Sequence, residues 1–124
     1  MVVFIVFGKE GDVMIDIPDK IYHATKKKNM ISIIDNSLKP LGIDKLIYFC
    51  DTFAGAGTFA YMHGVPLDDI VIIEIDTTNL NKELFNYGND HNPNFFKGIK
   101  VYTYSEEISS EHFSNYFEID MKGE

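Results

Sequence analysis

Residues 70–75 read Ile-Val-Ile-Ile-Glu-Ile, five β-branched side chains in six positions, bounded by Asp68-Asp69 before and Asp76-Thr77-Thr78 after. β-Branched residues are stiff at χ1 and pack well on a pleated surface. The run predicts a strand from Asp68 to Asp76, so a fold that accommodates it must provide a sheet.

Shorter signals surround it. Val2 to Phe7 and Asp12 to Ile17 are β-rich and flank Gly8-Lys9-Glu10-Gly11, which predicts an N-terminal hairpin ended by Pro18. Ile21 to His23 reads as a short strand. Between Lys26 and Leu38 the apolar residues Met30, Ile31, Ile33, Ile34 and Leu38 recur at helical spacing, with Thr25 placed to cap and Pro40 and Gly42 to terminate. Leu46 to Cys50 predicts a buried strand. Asp51-Thr52 opens a second helix through about His63, rich in Ala and Gly. Leu80 to Tyr87 reads as a short helix or turn, and Gly88 to Gly98 as a loop. Lys100 to Tyr104 and Phe113 to Ile119 read as the last strands. The expected class is α+β, one domain over residues 1–124, built on small curved sheets with inserted helices.

Composition narrows the function. The chain has 124 residues and is 45% hydrophobic, enough for a core. Its net charge is −8, it has no arginine, and Lys26-Lys27-Lys28 is its only basic run. A polyanion-tracking surface needs clustered positive charge, so DNA and structured RNA are poor partners. A phosphate would be held by lysines, hydroxyls and backbone amides rather than by a guanidinium fork. No apolar run is long enough to span a membrane, no signal peptide is evident, and the lone Cys50 fits a reducing, cytoplasmic setting.

The stretch Tyr22-His23-Ala24-Thr25 ends a strand just before a helix. That arrangement places an imidazole and a hydroxyl at the mouth of a cleft, where they suit the ribose and amide of a dinucleotide. Together with the helix ending near Leu38-Lys39-Pro40, the strand Ile47-Tyr48-Phe49-Cys50, the Ala-rich helix and the strand ending at Asp76, it resembles the ADP-ribosyltransferase superfamily. The resemblance covers Ile21 to Asp76 and rests on short motifs.

It implies an NAD+-dependent mono-ADP-ribosyltransferase acting on a protein target. The alternative is a non-catalytic module that sequesters an ADP-ribose nucleotide or masks a partner. An RNA 2′-phosphotransferase is a third reading, opposed by the missing arginines. In such a site His23 would bond a ribose, with Thr25 in support, and Tyr48 would stack on nicotinamide. Tyr48 reads equally well as a strand residue, sharing a face with Leu46 and Cys50 opposite Ile47 and Phe49. Catalytic relatives carry a glutamate at the start of a late strand, but here that place reads Ile99-Lys100-Val101-Tyr102. Lysine has the wrong sign for a developing sugar cation, so the candidate carboxylates become Asp90, Glu106 and Glu107.

Other chemistries fit less well. His63, His91 and His112 are scattered rather than set at metal-ligand spacing, so no metal cofactor is expected. Cys50 at the end of a buried strand is a poor nucleophile. Gly55-Ala56-Gly57 lacks the Lys-Ser/Thr of a phosphate loop and reads as a helix-packing surface.

Overall fold

A computed structural model describes residues 16–88 and 100–119. The expected hairpin at 1–18 lies almost wholly outside the described residues, as does most of the 88–98 loop. Six strands are described: β1 (Lys20–Lys26), β2 (Ile47–Cys50), β3 (Ile70–Asp76), β4 (Phe85–Tyr87), β5 (Val101–Tyr104) and β6 (Phe113–Glu118). They form one antiparallel sheet in the order β4-β5-β2-β1-β3-β6. The α+β class therefore holds, with one six-stranded sheet among the described residues.

Two α-helices are described, α1 (Met30–Asn36) and α2 (Phe53–Met62). The alternation of each strand sorts its side chains into two cores, one per face. Ile21, Ile47, Phe49, Ile73, Ile75, Phe85, Tyr102 and Tyr104 form one, with Met30 and Ile33 of α1 packed against it. Cys50, Ile70, Ile72 and Val101 form the other with Ala56 and Ala60 of α2. β3 contributes to both, and Ile70 to Ile73 are all buried, which explains a continuous apolar run where a half-exposed strand would alternate.

α2 begins as its sequence suggests. The Thr52 hydroxyl accepts from the Gly55 amide at 2.9 Å, satisfying one free donor of the first turn. It stops at Gly64, whose φ of 95° is the left-handed conformation glycine adopts without penalty. A Cβ on Gly57 would lie 3.5 Å from Ile72 and 3.6 Å from Ile119, so this helix face lies close over the sheet and the Gly-Ala-Gly segment is a packing surface.

Three local expectations are corrected. β1 runs to Lys26, three residues beyond His23, because all seven of its residues find partners on β3. The helix behind it is correspondingly shorter: a 3-10 turn over Lys27–Asn29, then α1 to Asn36. Thr25 consequently lies inside the strand and caps nothing; its hydroxyl accepts from the Asn29 side-chain amide at 3.3 Å. The Leu80–Tyr87 segment splits into a 3-10 turn, Lys82–Leu84, and the edge strand β4, which pairs with β5.

Candidate functional site

His23 and Thr25 are two residues apart on β1 and point to the face that carries α1. There they line a cleft of about 380 Å³ with Asn29, Ser32, Ile33 and Asn36, and with the segment Ser37-Leu38-Lys39 and Leu41. That volume lies within the range of small-molecule sites. Asn29, Ser32 and Asn36 are spaced i, i+3, i+7, a polar stripe along one side of α1. That stripe is the sequence signal which would have extended the site beyond His23 and Thr25.

The His23 ring is fixed from two sides. Its edge meets Phe49, with centroids 5.7 Å apart and planes at 61°. Its Nδ1 lies 2.7 Å from the Tyr48 carbonyl oxygen. A carbonyl only accepts, so Nδ1 carries the hydrogen and Nε2 is left with a free lone pair. Burial lowers the pKa of His23 by stripping water from the cation, and the Tyr48 carbonyl only partly opposes this. His23 therefore carries a neutral ring with an acceptor nitrogen, which meets no hydrogen-bond partner among the described residues.

A histidine whose folded pKa lies below its unfolded value makes stability pH-dependent with a definite sign. Between the two values the unfolded chain binds more protons, so stability falls as pH drops below about 6.5. For one group the slope has an upper limit of about 1.4 kcal/mol per pH unit. Urea titrations at a series of pH values check this. His23→Gln should flatten the slope, and an unchanged slope in that variant would assign it to other groups.

Tyr48 is placed elsewhere. Tyr22 stands opposite Cys50 in the β1–β2 register, so the even-numbered residues of both strands share the α2 face. The Tyr48 ring stacks on Phe59 of α2 at 5.9 Å, and its hydroxyl donates to Asp44. Only its backbone carbonyl reaches the cleft side, through His23. Asp76, the end of the hydrophobic strand, stands opposite Lys20, at the far end of the sheet from Thr25. Its Oδ1 accepts from the Thr78 hydroxyl at 2.6 Å and the Thr78 amide at 2.9 Å, and these bonds hold its pKa at about 2.

Of the candidate carboxylates, Asp90 lies outside the described residues. Glu106 is exposed in the bend after β5. Glu107 lies beside the cleft without lining it: its Oε2 is 3.1 Å from the hydroxyl of Ser37, a lining residue whose hydroxyl also contacts the Asn36 carbonyl. A pair of backbone bonds holds the two segments together, Leu38 N to Ile108 O at 2.9 Å and Ile108 N to Leu38 O at 2.8 Å. Ser37 itself has φ 76° and ψ 164°, a region populated almost only by glycine and worth roughly 1–3 kcal/mol of strain. Lys100 serves through its backbone, whose amide donates to Asp51 at 3.2 Å.

Cys50 is buried, and burial with the adjacent Asp51 charge pushes its thiol up to about 12, which leaves it unreactive. His63 bonds the Phe59 carbonyl at 2.7 Å and His112 approaches Glu111 at 3.6 Å. Among the described residues no group of three or more His, Cys, Asp or Glu converges as metal ligands would. None of the described helices is long and apolar enough to cross a membrane. No protein-family model matches the chain, and no curated protein matches it either.

Proposed function

We propose that this cleft binds an ADP-ribose-type nucleotide and that the protein is an NAD+-dependent mono-ADP-ribosyltransferase acting on a protein target, with an ADP-ribosyltransferase-like fold. The observation that carries the reading is the His23 ring, which lines a cleft of hydroxyls and amides while its Nδ1 is engaged by the Tyr48 carbonyl, leaving Nε2 as an acceptor. Vicinal ribose hydroxyls are donors that such a nitrogen takes up, while Asn29, Asn36 and Ser32 supply complementary groups. Lys39, the one cation among the lining residues, would take a phosphate. The Ser37–Glu107 bond supports the catalytic half, because it ties a carboxylate to a residue that lines the cleft, and the charge on a departing sugar would need one nearby.

A second reading is a nucleotide-sequestering module without chemistry. Two observations favour it: no carboxylate is among the residues that line the cleft, and the Tyr48 ring is on the opposite face, unable to stack on nicotinamide there.

NAD+ or ADP-ribose at about a hundred times its dissociation constant should stabilise the folded state by about 2.7 kcal/mol, read as a rise in melting temperature. His23→Ala should weaken binding several-fold, the size of one hydrogen bond. If no adenine dinucleotide shifts the melting curve at millimolar concentration, the cleft does not bind this class. Nucleotide binding without nicotinamide release or target labelling would establish the sequestering module instead.

A further inference from the structure

Among the described residues β6 pairs with β3 alone and so forms one edge of the sheet. An edge strand presents unpaired N–H and C=O groups, which proteins commonly guard with lysine, proline or an inward charge. Phe113-Ser114-Asn115-Tyr116-Phe117 carries none of these. The one charge on the strand, Glu118, pairs with Lys27 at 3.5 Å. The ladder to β3 shifts register between Glu74 and Ile75, then runs regularly from Asn115 to Glu118.

Apolar grooves flank this edge on both faces of the sheet. On the α1 face, a groove of about 390 Å³ lies between Met30 and Ile34 of α1, Val71 of β3 and Tyr116 of β6, with Lys27 and Glu118 also in its wall. On the α2 face, a groove of about 220 Å³ lies between Phe53, Gly57 and Tyr61 of α2, Ile72 of β3 and Ile119. The register brings the two to the same stretch of edge: Val71 stands opposite Glu118 and Ile72 opposite Phe117. The Phe117 ring meets Phe53 edge-on at 5.2 Å. Ile34 is 41% exposed, Tyr116 45%, Phe53 40% and Tyr61 54%. Whatever covers this edge must supply an unpaired strand, with apolar side chains above and below it.

We infer that the occupant is a second copy of this chain: β6 pairs with β6 of the copy, antiparallel about a two-fold axis normal to the sheet, joining the two six-stranded sheets into one. That symmetry keeps the faces in line, so each groove meets its own counterpart. A pairing centred on Tyr116 or Phe117 keeps the two Glu118 carboxylates apart, whereas one centred on Glu118 would set like charges directly opposite. Area selects a whole domain over a lone strand. Six strand residues extend about 20 Å, and a helix, sheet and helix stacked about 10 Å apart stand roughly 30 Å high. A flush contact therefore covers on the order of 600 Å² on each copy, about 1,200 Å² in all, where stable interfaces begin. A single added strand would cover only the middle layer. The groove follows Lys27, Met30 and Ile34, while the His23 cleft follows Asn29, Ser32 and Asn36. The contact thus uses the other flank of α1 and is independent of what the cleft binds.

Sedimentation equilibrium on the full chain should show a dimer of twice 14.2 kDa, with a dissociation constant in the micromolar range. Ile34→Glu/Tyr116→Glu on one face and Tyr61→Glu on the other should each weaken it at least roughly tenfold, because a charge would be buried in the contact. These side chains are about half exposed, so circular dichroism should show both variants folded. Ile43→Glu, at an exposed residue that lines neither groove, should dimerise like the parent. In hydrogen exchange, the β6 amides facing away from β3 should be protected in the parent and lose that protection in the two groove variants. A parent that stays monomeric at submillimolar concentration overturns the proposal, and protected outward amides in that monomer would assign the edge to another segment of the same chain. A dimer indifferent to both groove variants, or one lost in Ile43→Glu, overturns it too. So does an open-ended assembly, which a closed two-fold contact cannot form. Raising salt from roughly 0.01 M to 0.15 M should tighten the dimer by screening the −8 charge on each chain. Weakening instead would assign the contact to charge pairs and overturn the strand pairing.

Discussion

Glu107→Gln is expected to lower the proposed ADP-ribose transfer by roughly 10²–10³-fold while leaving affinity for the proposed nucleotide nearly unchanged, the usual cost of removing one electrostatic stabiliser from a reacting centre. The amide keeps the shape and still accepts from Ser37, so its effect reports charge rather than packing. In the proposed transfer the bond between ribose and nicotinamide breaks, and positive charge grows on the sugar as it does. Among the described residues, Glu107 is the candidate carboxylate tied to the cleft, through the Ser37 hydroxyl at 3.1 Å. Glu106→Gln serves as the control next door, and Asp90→Asn tests the candidate outside the described residues. Mass-detected labelling and nicotinamide release are the measurements. Full activity in Glu107→Gln would remove Glu107 from the reaction, and loss in Asp90→Asn alone would transfer the role there.

Ile73→Ala is expected to destabilise the fold by about 2–5 kcal/mol, the range for truncating a fully buried aliphatic residue. Ile73 has no exposed surface and occupies the middle of β3, opposite His23 of β1 on one side and Tyr116 of β6 on the other. The surrounding strands are held by ladders on both sides, so the cavity cannot readily collapse. A loss of this size is a large share of the stability of a domain, typically about 5–15 kcal/mol. Ile73→Val should cost only about 0.5–1.5 kcal/mol. Urea unfolding of the two variants measures the difference, and a near-parental midpoint for Ile73→Ala would show that the core repacks around the gap.

Local chemistry made several elements legible before any coordinates. The β-branched run at 70–75 is a strand because those side chains suit nothing else as well, and Thr52 is a helix cap because a hydroxyl there reaches a free amide. His23 and Thr25 share a cleft because alternate residues of any strand share a face, and that requires no partner. The same rule placed Tyr48 with Cys50, opposite Phe49, correctly within its own strand. What it could not supply was the β1–β2 register, and that register sends the Tyr48 ring to the α2 face, away from His23.

Tertiary structure decided the rest. The length of β1 follows from its full ladder with β3, which drew Thr25 out of the helix cap its sequence position suggested. The nearness of Glu107 to Ser37 depends on backbone bonds between Leu38 and Ile108, seventy positions apart in the chain. Periodicity and propensity are properties of a few adjacent residues, so they determine which way a side chain faces. Which distant segment it then meets depends on loop closure and sheet order, and those are settled only when the strands pair.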